Sequence, residues 1–319
     1  MKRHASFRGV LTPVITPFTA TLEPDLPRLV RQCRWLLAND VGLAVFGTNS
    51  EGNALSTRER VALLEGLAGN GIPMHRVMAG TGACSLDDAV TLTRAAVELG
   101  CGGVLMLPPF YYKEPSDAGL FRFYEQTIAR VGDDRLAVYL YHIPPVAKVG
   151  FSLTLVQQLL EHFPGTVRGI KDTGGDLAYT QALLANCASD DFDVFAGSET
   201  ELVTLMEAGA AGCISATANV NPAGLVDLYR NFTHADARSR QQRANAVRAA
   251  FARHPMIPAL KAALAFYLDD PSLCHVRPPF VELAPDAQAQ LIAELQALDF
   301  NPRCVPAVAE SPFNSSLVH

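Results

Sequence analysis

The chain has 319 residues, 49% of them hydrophobic and 18% charged, with a net charge of −6. This is enough apolar material for one large core or two ordinary ones, and an acidic balance without a basic block argues against nucleic acid and anionic membranes as partners. No apolar run approaches the roughly 20 residues of a membrane span, and the opening MKRHASFRGV has no apolar stretch behind its basic residues, which argues against a secretory signal.

Taken in chain order, short β-rich runs alternate with longer helical patterns. The runs are GVLTPVITPF at 9–18, GLAVFGT at 42–48, RVMAGTG at 76–82, GGVLMLP at 102–108, LAVYLYH at 136–142, VRGIKD at 167–172, FDVFAGS at 192–198 and GCISAT at 212–217. Between them, STRERVALLEGLAG begins at Ser56 with Glu59 three residues on, the spacing of a capping box. SLDDAVTLTRAAVELG starts at Ser85 and stops at Gly100, a natural C′ residue, and SDAGLFRFYEQTIARVG and SLTLVQQLLEHFPG read the same way. Eight alternations predict a parallel sheet closed into a (β/α)8 TIM barrel over residues 1–232. The alternative is an open doubly wound sheet. That fold usually carries a Gly-rich phosphate turn after its first strand, and VITPFTATLEP has none. Three further helical patterns, ADARSRQQRANAVRAAFARH, MIPALKAALAFYL and PDAQAQLIAELQALD, predict a C-terminal helical extension over 233–302. An irregular tail is expected over 303–319.

Seven cysteines at 33, 84, 101, 187, 213, 274 and 304 form no C-x-x-C pair, and the eight histidines form no H-E-x-x-H. Reduced thiols in a cytoplasmic protein, with no metal site, are the expectation.

The C-terminal strand ends of such a barrel carry its chemistry. Here they read TPF, GTNSEG, GTG, LPPFYY, YLYHIP, GIKDTGG, AGSET and ISATANV, polar where stability alone would call for Val or Ile. Strand alternation places Val167, Gly169 and Lys171 on one face and Ala137, Tyr139 and Tyr141 on one face of the preceding strand. With Ile170, Val138 and Leu140 toward the helices, Lys171 and Tyr141 point into the barrel mouth. Gly169 is expected to leave room for the lysine stem. His142 is expected to face the helices.

Five of the 26 basic residues are lysines, leaving 21 arginines. Lysine is the one of the two that can lose its proton and attack a carbonyl, and burial disfavours the charged form. Lys171 therefore reads as an imine-forming nucleophile for a 2-oxo acid. An ion pair with Asp172, or a lysine snorkelling at the rim, is the structural alternative; for Tyr141 it is a hydrogen-bonded core tyrosine. Glu51, Asp172 and Glu199 could each orient a site group or be solvated at the rim, and the second is expected for Asp172.

Taken together, GVLTPVITPF, GTNSEG, AGTG, PPFYYKEPSDAGL, YLYHIP, GIKDTGGD, FAGSE, GCISATANV and IPALKAAL resemble the dihydrodipicolinate synthase / N-acetylneuraminate lyase family over about residues 7–300. The resemblance implies a metal-independent class I lyase that forms a Schiff base with pyruvate or another 2-oxo acid and uses no cofactor. It implies Lys171 as the imine lysine and Tyr141 as the proton relay. It implies Thr48 and Asn49 as carboxylate-binding residues, and Ile214 as the residue whose carbonyl lines the pocket. Gly197 and Ser198 fall in its substrate-contacting region. Tyr112 matches a tyrosine that reaches a neighbouring subunit's site, in a homotetramer built from tight dimers.

The departures concern the second substrate. The strand-two motif has Thr48-Asn49 where dihydrodipicolinate synthases have Thr-Thr, and YHIPPVAKVGF lacks the arginine that clamps their aldehyde. Lys148 is either a substitute point charge or solvent-facing. The asparagine and IPALK resemble 4-hydroxy-2-oxoglutarate aldolase-like members, and sugar-acid aldolases remain open. The alternatives are a genuine 4-hydroxy-tetrahydrodipicolinate synthase and, in another class, a non-catalytic 2-oxo-acid-binding paralogue.

Overall fold

The structure, a computed structural model, describes residues 7–302. The tail expected at 303–319, with Cys304, lies outside the described residues. Eight parallel strands close into a barrel in sequence order: β1 Gly9–Thr12, β2 Gly42–Val45, β3 Val77–Gly80, β4 Gly103–Met106, β5 Val138–His142, β6 Val167–Asp172, β7 Asp193–Ala196 and β8 Gly212–Ile214. Helices α1 Leu26–Ala38, α2 Thr57–Gly69, α3 Leu86–Glu98, α4 Asp117–Val131, a single turn α5 Pro144–Ala147, α6 Leu153–His162, α7 Leu177–Cys187, α8 Leu202–Glu207 and α9 Pro222–Arg230 surround them. Helices α10 Ala237–Ala252, α11 Met256–Leu268 and α12 Pro285–Ala297 follow the barrel. The fold is thus a TIM barrel with C-terminal helices, and no helix among the described residues is long and apolar enough to cross a membrane.

The helix starts follow local chemistry. Ser56 caps α2 in a complete capping box with Glu59, and the Ser85, Ser116 and Ser152 hydroxyls each accept a backbone N–H in the first turn of α3, α4 and α6. Gly100 ends α3 at φ +79°, a left-handed position that glycine takes without a Cβ penalty.

Burial separates into layers. Val10, Val45, Val104, Val138, Ile170 and Val194 belong to the core between strands and helices, whereas Leu11, Met78, Leu105, Tyr139, Phe195 and Ile214 fill the barrel interior. A third core joins α10, α11 and α12 to Ile15, Ala216 and Val220. Those three follow β1 and β8, so the extension packs on the C-terminal edge of the barrel.

Two expectations about β6 are corrected. Val138 pairs with Val167, but Tyr139 pairs with Gly169, so Arg168 is an extra residue in the ladder. This bulge shifts the alternation: Val167 belongs to the outer core, while Gly169 and Lys171 face inward. Gly169 makes room for Tyr139 rather than for the lysine stem. A Cβ there would meet the Tyr139 ring at 2.8 Å and the Asp193 carbonyl oxygen at 2.4 Å.

Candidate active site

Lys171 lies near the C-terminal end of β6, between Tyr141 of β5 and Phe195 of β7 in the strand register. Parallel pairing thus makes the amine and the phenol nearest neighbours. Lys171 is 2% exposed. Its Nζ donates to Tyr141 Oη at 3.2 Å and sits 4.3 Å from the ring centroid. Tyr141 Oη in turn donates to Thr48 Oγ1 at 3.2 Å. Lysine, phenol and hydroxyl form one continuous chain.

Asp172 is not the counter-ion of Lys171. It faces the helices, buried, where Oδ1 accepts from the Gly174 N–H at 2.8 Å and Oδ2 from Thr180 Oγ1 at 2.5 Å. The expectation of a solvated Asp172 is therefore corrected: strand alternation that sends Lys171 inward sends its neighbour outward into the helix layer. Among the described residues no carboxylate lies within ion-pair distance of Lys171. His142 also faces the helices, as expected. Its Nδ1 accepts from the Phe151 N–H at 3.0 Å and its ring stacks on Tyr179 at 4.6 Å. Burial holds this imidazole below its ordinary value, with Asp172 opposing.

Thr48 and Asn49 open a 3-10 turn, Thr48–Ser50, directly after β2. The turn is tightly built. The Gly52 N–H donates to Gly47 O at 3.0 Å, and a Cβ on Gly52 would fall 2.0 Å from Phe46 O, so only glycine fits. Thr16 Oγ1 donates to Ser50 O at 2.6 Å. Glu51 is not solvated at a rim either. It is 2% exposed and accepts from Lys261 Nζ and from the Arg277 N–H. Glu199 is fully enclosed among Ser215, Thr217 and Arg248, whose Nη1 is 3.2 Å away.

Gly197 follows β7, its N–H donating to Asp172 O at 2.7 Å, and Ser198 Oγ pairs with Thr200 Oγ1 at 2.9 Å. A cavity of about 470 Å³ opens there, lined by Thr173, Gly197, Ser198, Thr200, Glu201 and Arg248 among others. The Thr173 hydroxyl is buried with no hydrogen-bond partner among the described residues. Ile214 ends β8, buried and in register with Leu11. Tyr112 stands apart: it is 78% exposed and packs edge-on against Tyr111. Lys148 is exposed and does not line the cavity.

The sequence reading missed Lys261, Arg277, Thr173 and Arg248. A signal existed for the first. Lys261 is the one charge in the otherwise apolar stretch MIPALKAALAFYL, and a lysine buried on an all-apolar helix needs a partner. Among the described residues no group of three or more His, Cys, Asp and Glu is arranged to hold a metal.

Residues 6–298 match the Dihydrodipicolinate synthetase family. An uncharacterized DapA-like lyase of Chloroflexus aurantiacus is 32% identical over 298 residues, 91% of this chain and 97% of that protein. The 4-hydroxy-tetrahydrodipicolinate synthase of Methanococcoides burtonii is 30% identical over 87% of this chain and 94% of its own length. Among solved structures, YagE, a prophage protein of E. coli K12 in complex with pyruvate, superposes with a TM-score of 0.84 at 28% identity, covering 93% of this chain and all of that one. The match spans the barrel and the C-terminal helices together, and the chain belongs to the dihydrodipicolinate synthetase family, whose members are metal-independent lyases of the lysine Schiff-base type.

Proposed function

We propose that Lys171 forms the imine, with pyruvate as the 2-oxo acid. The amine adds to the C2 carbonyl, and Tyr141 passes a proton to the resulting carbinolamine oxygen, which leaves as water. The protonated imine draws electrons from the adjacent C–H bond. Loss of that proton to the Tyr141 oxygen gives an enamine, whose carbon attacks the aldehyde carbonyl; the new C–C bond forms as the C=O π bond opens, and Tyr141 returns the proton to the resulting oxygen. Hydrolysis of the product imine returns the lysine. Cleavage is the same sequence reversed.

The observation that carries this reading is the chain Lys171 Nζ–Tyr141 Oη–Thr48 Oγ1, with 3.2 Å at each step. Thr48 and Asn49, with the N–H groups of their turn, are the proposed carboxylate site, and the Ile214 carbonyl is proposed to line the pocket. YagE was solved with pyruvate, which supports the choice of 2-oxo acid.

For the second substrate we propose a hydroxylated aldehyde, so that the joined compound is a 2-keto-3-deoxy sugar acid. Thr173, Ser198 and Thr200 line the cavity beside Gly197, which none of Lys171, Tyr141 and Thr48 lines, and the Thr173 hydroxyl has no hydrogen-bond partner among the described residues. Glu201 and Arg248 line it too, one carboxylate and one guanidinium, while the Asp172 oxygens are taken by Gly174 and Thr180. Residues 141–151 contain no arginine, and Lys148 is exposed, so the clamp expected for a carboxylate-bearing aldehyde is missing. 4-Hydroxy-2-oxoglutarate is the competing product, and aspartate semialdehyde the competing acceptor. We further propose a homotetramer in which Tyr112 enters a neighbour's site; its 78% exposure in a single chain supports that reading.

Borohydride reduction in the presence of pyruvate is the test. The expected result is a reduced pyruvyl adduct on Lys171 and turnover with hydroxyaldehydes above aspartate semialdehyde. An unmodified Lys171 removes the proposal. An adduct without turnover of any aldehyde assigns the chain to 2-oxo-acid binding alone.

A further inference from the structure

The second buried lysine lies at the far end of the chain and is joined to the site by one side chain. Lys261 of α11 is fully enclosed. Its Nζ donates to Glu51 Oε1 and, at 2.7 Å, to the His275 carbonyl oxygen, and it lies 4.4 Å from the centroid of the Phe18 ring. The other Glu51 oxygen accepts from the Arg277 N–H at 2.9 Å. The Arg277 side chain extends the contact, donating to Leu22 O, Ala54 O and Glu59, with its guanidinium 4.8 Å from the Phe18 ring.

Glu51 is the hinge of the carboxylate turn. It joins the 3-10 turn Thr48–Ser50 to a second one, Gly52–Ala54, in a left-handed conformation at φ +55°. Phe46, on the other side of Thr48, is also left-handed at φ +60°. Such conformations cost a non-glycine residue on the order of 1 kcal/mol and persist where surrounding bonds outweigh that cost. At Glu51 those bonds come from the C-terminal extension. Three residues earlier, the same turn presents Thr48 Oγ1 to Tyr141 Oη.

We propose that Lys261 is a positioning residue for the strand-two turn: by holding Glu51 it fixes where Thr48 and Asn49 meet the pyruvate carboxylate and the relay phenol. The kinetic part of this inference rests on the proposed function above. A turn displaced by about 1 Å costs on the order of a hundredfold in rate without any change in the reacting groups. The groups facing the Lys261 ammonium are Glu51, Arg277, Cys274 and the His275 carbonyl. Burial pulls this lysine down to about 8, against the pull of Glu51 upward, so the tether also weakens in alkali.

The test uses the full chain with Lys261→Met and with the double variant Glu51→Gln/Lys261→Met. The single variant strands a buried carboxylate and is expected to fold poorly. The double variant removes both charges, and its new amide still accepts from the Arg277 N–H, so its stability should recover. The positioning role predicts that the double variant nonetheless loses about ten- to a hundredfold in kcat/KM for pyruvate. The KM for the aldehyde should stay as in wild type, and the amides of residues 47–52 should exchange faster while β5 and β6 stay protected. Full kinetic recovery with recovered stability would reduce the pair to a fold-stabilising role and overturn the proposal. The exchange readout needs no substrate. Wild type that traps no pyruvate sinks the function, whereas unchanged exchange at 47–52 sinks the tether.

Discussion

Lys171 and Lys261 are both enclosed, at 2% and 0% exposure, and both lie over an aromatic ring, 4.3 Å and 4.4 Å from its centroid. Their polar partners differ. Lys261 faces the carboxylate of Glu51 and a backbone carbonyl, so its ammonium is held in place by charge. Lys171 faces a phenol, and among the described residues no carboxylate is near enough to pair with it. In the proposed reading Lys261, with its counter-ion, is the strut, and Lys171, with a phenol beside it, is the nucleophile. Burial by itself distinguishes nothing here.

The sharpest way to break this contrast is to remove each amine in turn. Lys171→Ala should lower turnover by about 10⁴-fold or more while urea unfolding stays cooperative. Borohydride trapping should label Lys171 and leave Lys261 unlabelled; a pyruvyl adduct on Lys261 would invert the comparison. Next in size, Tyr141→Phe should slow turnover about 10²- to 10⁴-fold, the range for a lost proton-transfer group. Pyruvate binding should change far less, because the ring and its packing survive. Equal losses in both would make Tyr141 a binding residue rather than a relay.

In stability the order reverses. Lys261→Met leaves Glu51 as an uncompensated buried charge and should cost about 3–5 kcal/mol. Lys171→Met strands no charge, and Tyr141 keeps its bond to Thr48, so denaturant midpoints should hold or rise. Similar losses at the two positions would erase the distinction.

The same contrast marks what could be read from the sequence. Local signals were legible: eight β-rich runs with serine caps between them placed the barrel, and strand alternation sent Lys171 and Tyr141 into its mouth. Alternation also carried an error at Val167, because a bulge at Arg168 leaves no trace in the pattern of apolar residues. Gly169 was read against its own strand, whereas the group that needs its space is the Tyr139 ring on the preceding strand. The Glu51–Lys261 pair spans 210 residues, and no local pattern links GTNSEG to IPALK. The buried Asp172 was missed for a related reason, since its partner Thr180 belongs to the helix that follows its strand.

The smallest effect tests whether acid sensitivity belongs to the strut side of the comparison. Arg277, beside Lys261, donates to Glu59 and is the main cause that lowers its carboxyl from an ordinary 4.5 to about 2, against the opposing effect of partial burial. Ser56 adds to the lowering through its N–H and hydroxyl. A carboxyl held lower in the folded chain than in the unfolded one contributes stability that is complete above about pH 4.5 and is lost as pH falls toward 2. Discounted for the 23% exposure of the side chain, the contribution is about 2 kcal/mol. Glu59→Gln should therefore lie about that far below wild type at pH 7 and converge with it near pH 2. Unfolding curves across that window read the difference directly. A gap that stays constant with pH would mean that Glu59 acts only as a neutral cap of α2, and that the charge network around Lys261 ends at Glu51.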